Sequence, residues 1–267
     1  MNRYLVFSKY QGAGNDFIVI DDRDLAFPIH DKKCVQKLSN RTMGIGADGI
    51  ILLQPSTTAD FQMRILNADG SEPAMCGNGI RCLVHFIRSL GYTALSYRIE
   101  TGHSMAVCRF EGEKILVSQK LSSTVQEVQL ELGRIFFLNT GVPHAIVFKN
   151  EIQDIDVEKL GREIRFHPHF APEGANVSFA KIAGNEVEVR TYERGVERET
   201  AACGTAAAAV AIATHCAHQL NSPIRYKIVP RSKEPIEVIV NTPVVDDKIE
   251  VQVVGDATFV YEGKIPI

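Results

Sequence analysis

The chain has little net charge, no long apolar run and no paired-cysteine spacing, and each shortage removes a class of function. Its formal charge is -3 over 267 residues, with Lys and Arg scattered rather than clustered. That balance supplies no electrostatic footprint for nucleic acid and no polybasic patch for a membrane surface. The longest apolar stretch, around 206 to 213, is too short to cross a bilayer. The first residues, MetAsnArgTyrLeuValPheSerLysTyr, have no secretory apolar core with a small-residue cleavage site, so the expected compartment is the cytoplasm. Six cysteines occur without CxxC or His-rich spacing. That pattern argues against a zinc site or a disulfide scaffold and predicts reduced thiols. What is present is 45% apolar and 23% charged, material for one large or two medium domains and for a small, locally charged ligand.

Two of the cysteines stand apart. Cys76 in AlaMetCysGlyAsnGly and Cys203 in AlaAlaCysGlyThrAla each precede a glycine and open an apolar, helix-spaced run. A thiol at a helix N-terminus is polarised toward thiolate by the aligned N–H groups, and the following glycine lets those groups approach a ligand carboxylate. Taken singly, either cysteine reads as a small buried hydrophobe, which free cysteines usually are. Taken together they suggest two acid/base groups working on one substrate. Cys34, Cys82, Cys108 and Cys216 lack that setting and are assigned to packing or surface. Cys82 lies six residues past Cys76, about 120° away round the helix.

The run after Cys76, with Ile80, Leu83, Val84, Ile87 and Leu90, predicts an amphipathic helix closed by Gly91. The run Ala206 to Leu220 is apolar almost all round, stops at Asn221 and predicts a central core helix. Shorter helices are expected at 32 to 41, capped by Asp31, and at 156 to 165, capped by Asp154 or Asp156. Strands are expected at 5–10, 17–21, 50–53, 61–66, 97–118, 134–140, 144–148, 177–182, 186–191, 224–229, 236–240, 248–254 and 257–261. Sliding the chain so that Cys203 lies on Cys76 places Gly141 on Gly14 and matches the order of elements in the two halves. The reading is an α+β protein of two pseudo-symmetric domains, each with antiparallel strands wrapped round a central helix, and an active site in the cleft between them. The boundaries predicted are 1–119 with a returning strand at about 257–267, and 120–256.

Other residues have plain readings beside functional ones. GlyIleGlyAlaAspGly at 44–49 matches GxGxxG, but a helix precedes it and a strand follows, the reverse of a dinucleotide site. His144 in GlyValProHis reads as a general base or as a histidine bonded beside a turn. Glu193 and Arg194 read as a solvated pair or, for the arginine, as a bidentate carboxylate holder. Asn15, Asn67, Asn78 and Asn176 each lie beside a glycine or a turn, where asparagine is ordinary. Only their occurrence together near the cysteine loops suggests a polar pocket.

At this point LysTyrGlnGlyAlaGlyAsnAspPhe (9–17), AsnAlaAspGlySerGluProAlaMetCysGlyAsnGlyIleArgCys (67–82), GlyValProHis (141–144), GlyAlaAsnValSerPhe (174–179) and ThrTyrGluArgGlyValGluArgGluThrAlaAlaCysGlyThrAla (191–206) resemble the diaminopimelate epimerases. The resemblance implies a cofactor-independent enzyme that interconverts LL- and meso-diaminopimelate, a precursor of lysine and peptidoglycan. It implies no metal and a homodimer. Cys76 and Cys203 would be the acid/base pair, and Gly77 with Asn78 and Gly204 with Thr205 would offer backbone N–H groups to the substrate carboxylate. His144 and Glu193 would flank the reacting centre, while Asn15, Asn67, Asn176 and Arg194 would read the substrate. Val142 stands where the family commonly has Asn, and Gly49 where some members have Gln, so slow glutamate racemisation is expected as well. A proline-racemase-like enzyme, a Cys203/His144 hydrolase and a non-catalytic amino-acid-binding protein remain as alternatives.

Overall fold

The computed structural model describes residues 4–73, 76–102, 104–122, 124–220, 222–245 and 248–266. The chain forms two units, Met1–Val117 with Gly255–Ile267, and Ser118–Val254. The first holds β1 (Tyr4–Gly12), β2 (Asn15–Asp21), α1 (Lys32–Ser39), β3 (Gly49–Gln54), β4 (Phe61–Asn67), α2 (Gly77–Ser89), β5 (Ser96–Glu100), β6 (Met105–Glu111) and the start of β7 (Lys114–Ser122). The second holds β8 (Gln126–Leu130), β9 (Gly133–Asn139), β10 (Pro143–Phe148), α3 (Val157–Arg165), β11 (Asn176–Ala183), β12 (Glu186–Glu193), β13 (Arg198–Thr200), α4 (Gly204–Ala217), β14 (Ile224–Val229), β15 (Ile236–Val245) and β16 (Lys248–Gly255). The last strand, β17 (Thr258–Pro266), pairs with β1.

The same pairing order recurs in both units. In the first, β17 and β2 flank β1 antiparallel, then β2–β3 is parallel, β3–β4 antiparallel, β4–β5 parallel and β5–β6 antiparallel. In the second, β8 and β10 flank β9 antiparallel, and β10–β11, β11–β12, β12–β14 and β14–β15 repeat the alternation. Pairing is thus mixed, with two parallel pairs per unit. Parallel neighbours require a crossover, and each crossover here carries one α-helix: α1, α2, α3 and α4 in turn. The repeat seen in the sequence is therefore a repeat of topology, to which β13 is a short addition on β12.

Burial follows from the layers. Phe17, Val19, Ile51 and Leu53 pack with Ile80, Leu83, Val84 and Ile87 of α2, while Ile18, Ile20, Ile50 and Leu52 pack with Val35 and Leu38 of α1. A strand covered on both faces reads as a continuous apolar run, as IleIleLeuLeu at 50–53 does. The second unit repeats this, with Ile146 and Ala180 on the α4 side and Ala145, Val147, Val177 and Phe179 on the α3 side. Every residue from Ala206 to His215 is buried, with β9, β10, β11, β12, β14 and β15 against the helix. Alanine lets those strands approach the helix backbone closely. No helix among the described residues is long and apolar enough to cross a membrane.

Local signals explain the ends. Asp31 accepts from the Cys34 N–H at 3.1 Å, and Asp156, not Asp154, accepts from the Lys159 N–H at 3.0 Å. Gly91, at φ 92°, lies one residue beyond the C-cap of α2 and donates to the Arg88 carbonyl. Helix α4 ends at Ala217, short of the expected Leu220, and Asn221 lies outside the described residues. The long run at 97–118 is three strands, broken partly by Gly112 at φ 62°. The glycines at 44–49 serve packing: a Cβ on Gly44 would strike the Lys37 carbonyl, and Lys9 donates to the Gly46 carbonyl.

Candidate active site

Cys76 and Cys203 are the N-cap residues of α2 and α4, with nearly equal backbone angles: φ -144° and ψ 110°, against φ -140° and ψ 117°. This extended conformation leaves the first-turn N–H groups open at the helix end. Cys76 Sγ accepts from the Gly79 N–H at 3.4 Å. Cys203 Sγ instead lies 3.3 Å from Thr205 Oγ1 and makes no capping bond. Thr140 Oγ1 donates to the Thr205 carbonyl at 3.0 Å, tying the β9–β10 turn to the first turn of α4.

The electrostatics correct one expectation. Burial pushes the Cys76 thiol up, against the opposing pull of the Gly79 N–H, the Arg81 guanidinium and the Asn78 N–H; Asp48 adds to the rise. Burial also pushes Cys203 up, and Glu193 pushes it further, with the Thr205 hydroxyl and the Ala206 and Thr205 N–H groups opposing. Desolvation of the charged form outweighs the helix ends, so both groups rest as thiols at neutral pH. A thiolate generated there is a correspondingly strong base. Cys82 and Cys108 are buried and pushed up to about 12, which suits packing, while Cys34 and Cys216 are half-buried.

The other predicted residues divide by unit. In the first, Asn15 begins β2 after the Ala13–Gly14 turn, whose φ values of 53° and 80° suit a tight hairpin. Its Oδ1 is buried with no partner among the described residues. Asn67 is exposed at the end of β4, with its Nδ2 donating to Ser71 Oγ at 2.9 Å. Gly77 and Asn78 form the first turn of α2, and Asn78 Oδ1 accepts from Arg81 Nη2 at 2.6 Å. Arg81 stands outside the residues singled out by the motifs, and its signal in the sequence is a cation inside an apolar helix run. A Cβ on Gly49 would lie 2.6 Å from the Leu66 carbonyl oxygen, so close β3–β4 packing requires glycine there and the departure at 49 carries no ligand information.

In the second unit, His144 has no exposed surface and both of its ring nitrogens lack partners among the described residues. Burial, with Arg194 adding, pushes its ionisation down to about 3, so the ring is neutral and a poor general base. Asn176 pairs in register with His144. Its Oδ1 accepts from the Arg194 N–H at 2.7 Å and its Nδ2 donates to the Pro143 carbonyl at 3.4 Å. The side chain thus fastens β10, β11 and the end of β12 together, leaving little of it for a ligand. Burial raises Glu193, with Thr200 opposing. Arg194 is held loosely, 3.5 Å from the Glu173 carbonyl oxygen and 4.0 Å from its carboxylate. Gly204 and Thr205 open α4.

The fold and the sequence both have counterparts among known proteins. Solved structures with the same fold include a Bacillus anthracis phenazine biosynthesis protein of the PhzF family, at TM-score 0.75 and 16% identity over 99% of this chain and 100% of the other. A hydroxyproline epimerase from Agrobacterium vitis aligns at TM-score 0.67 and 17% identity over 100% and 94%. At such identities these likenesses establish architecture alone. Sequence carries the relationship further. The Aquifex aeolicus diaminopimelate epimerase is 37% identical over 97% of both chains, and the Chlorobaculum tepidum one is 40% identical over 96% of this chain and 99% of its own. The model of the same family matches residues 7–119 and 136–264, which takes in Cys76, Cys203 and the other residues predicted for the site. With its repeat, its two N-cap cysteines and this match through both units, the chain belongs to the diaminopimelate epimerase family.

Proposed function

We propose that the chain interconverts LL- and meso-diaminopimelate without a cofactor, supplying lysine and peptidoglycan synthesis, with Cys76 and Cys203 as the two bases. The observation that carries this reading is the duplicated cap: two thiols with matching backbone angles, each at the end of a core helix, in a chain that matches the family through both units. The chemistry must take a weakly acidic proton from Cα and return one to the opposite face. One thiolate removes the proton and becomes a thiol; the other thiol delivers its proton to the carbanion and becomes the thiolate. Two groups on opposite faces need no rotation of the substrate. The N–H groups of Gly77, Asn78, Gly204 and Thr205 would receive the negative charge that passes into the carboxylate. Neutral His144 and largely desolvated Glu193 would flank the reacting centre, with Asn15, Asn67, Asn176 and Arg194 reading the rest.

Incubation with LL-diaminopimelate in deuterium oxide tests the reaction directly: deuterium at Cα in the meso product is expected. Product without deuterium, or no product, defeats the proposal. Because Val142 presents an apolar side chain, the same assay with L-glutamate is expected to show slow Cα exchange, and its absence removes the claim of looser recognition. The Cys203/His144 hydrolase is disfavoured by the low basicity of His144, whose ring nitrogens have no partner among the described residues. A proline-racemase-like activity is disfavoured by Asn78, where those enzymes usually carry His.

The raised thiols set the pH dependence. Below their ionisation the free enzyme holds two thiols and lacks a base; raising the pH creates the first thiolate. The kcat/KM is therefore expected to climb with pH, approaching about tenfold per unit between about pH 6 and 8, and to fall only when the second thiol also ionises. A flat profile over that range contradicts two raised thiols.

A further inference from the structure

Arg81 carries a positive charge inside the first unit and shares its helix with Cys76. Its residue is 3% exposed. The side chain runs back toward the start of α2, the direction helical side chains take. Nη2 donates to Asn78 Oδ1 at 2.6 Å and Nε to the Asp256 backbone carbonyl at 3.2 Å. Both acceptors are neutral, so these bonds fix the guanidinium without cancelling its field. The surrounding backbone is cut away to admit it. A Cβ on Gly255 would lie 2.9 Å from Arg81 Nε, and one on Gly12 would lie 3.3 Å from both the Asn78 carbonyl oxygen and Cys82 Sγ.

Four charged or titratable groups among the described residues act on Cys76 or on Arg81 beside it. Arg81 draws its thiol down; Asp48, just before β3, acts the other way; Cys82 interacts with both Cys76 and Arg81; and Asp256 lies near Arg81. The other cap is built differently. Counting from Cys203, the position matching Arg81 is the buried Ala208, and the charge acting on Cys203 is the carboxylate of Glu193. The repeat duplicates the thiol but not the cation.

We propose that Arg81 is a positioning residue for Cys76: its buried guanidinium is the fixed cation that steadies a thiolate at that cap, and its bond to Asn78 holds the first turn of α2 in place for a substrate carboxylate. This rests on the two-thiol reading above and makes the two thiols inequivalent, with Cys76 the one supported by a cation.

Iodoacetamide labelling of Cys76 across pH, followed by mass spectrometry of its peptide, reads the thiolate without any epimerase activity. In Arg81→Gln the Cys76 profile is expected to move to higher pH, with labelling at neutral pH slowed about tenfold, while the Cys203 profile stays in place. Arg81→Lys keeps the charge but loses the fork. It is expected to keep Cys76 labelling within about threefold of wild type while kcat/KM falls about tenfold, since one ammonium cannot hold both oxygens as a planar fork does. An unchanged Cys76 profile in Arg81→Gln overturns the proposal, as does an Arg81→Lys profile displaced as far as that of Arg81→Gln. Should Arg81→Gln not fold, wild type and Arg81→Lys decide: Cys76 labelled at lower pH than Cys203 supports it, and the reverse order overturns it. Normal Arg81-dependent labelling in a chain with no diaminopimelate turnover would defeat the functional reading and leave this one standing.

Discussion

Cys76→Ala and Cys203→Ala are each expected to lower diaminopimelate turnover by about 10⁴-fold, and the double variant to be hardly worse than either alone. One group takes the Cα proton and the other delivers a different one, so losing either leaves the reaction without its base or its acid. The structure also separates the two variants by stability. Cys76 Sγ accepts the Gly79 N–H, so its loss removes a helix cap and is expected to cost about 1 kcal/mol. Cys203 makes no capping bond, and its alanine variant is expected to melt close to wild type. Turnover kinetics with thermal melts check both statements. More than a tenth of wild-type activity in either single variant would falsify the two-base scheme.

The second large effect lies in the core. Ala209→Leu is expected to destabilise the protein by about 3 kcal/mol or more, or to prevent folding, because the added carbons have no gap to enter. Ala207 to Ala213 are buried among Phe136, Leu138, Ile146, Val189, Val238 and Val251 in one cluster. The same helix begins at Cys203, so any accommodation displaces the thiol as well. Cys216→Leu, at the half-buried end of α4, is expected to cost much less. Urea unfolding of the two variants measures the difference, and equal costs would mean that α4 is not tightly enclosed.

Much of this architecture was legible from local chemistry. Asp31 and the acidic residues at 154–156 marked helix starts because a short carboxylate reaches the open N–H groups of a first turn. The run at 50–53 marked a strand covered on both faces, and the near-absence of polar residues from 206 to 213 marked an enclosed helix. Strands β8 and β13 escaped notice, since their residues QEVQL and RET carry little apolar signal and pair only because neighbouring strands present an edge.

The sequence offered candidate residues for the site but not their physical state. Sequence order aligned Cys76 with Cys203 and placed Glu193 and Arg194 just before the Cys203 loop, while the roles of His144 and Asn176 came from the family resemblance. It could not show that burial outweighs the helix ends at both thiols, because desolvation depends on atoms brought from distant strands. Nor could it show that Asn176 spends its side chain on the Arg194 N–H and the Pro143 carbonyl, or that Gly49 is glycine because the Leu66 carbonyl leaves no room.

By itself the sequence determined the repeat, the helix starts and the pair of thiols, all of which rest on the period of apolar residues and on short local motifs. Tertiary structure alone decided the protonation of those thiols, the neutrality of His144 and the placing of the Arg81 cation behind Cys76 but not behind Cys203. Those properties are set by burial and by charges far apart in the chain, and no local pattern encodes them.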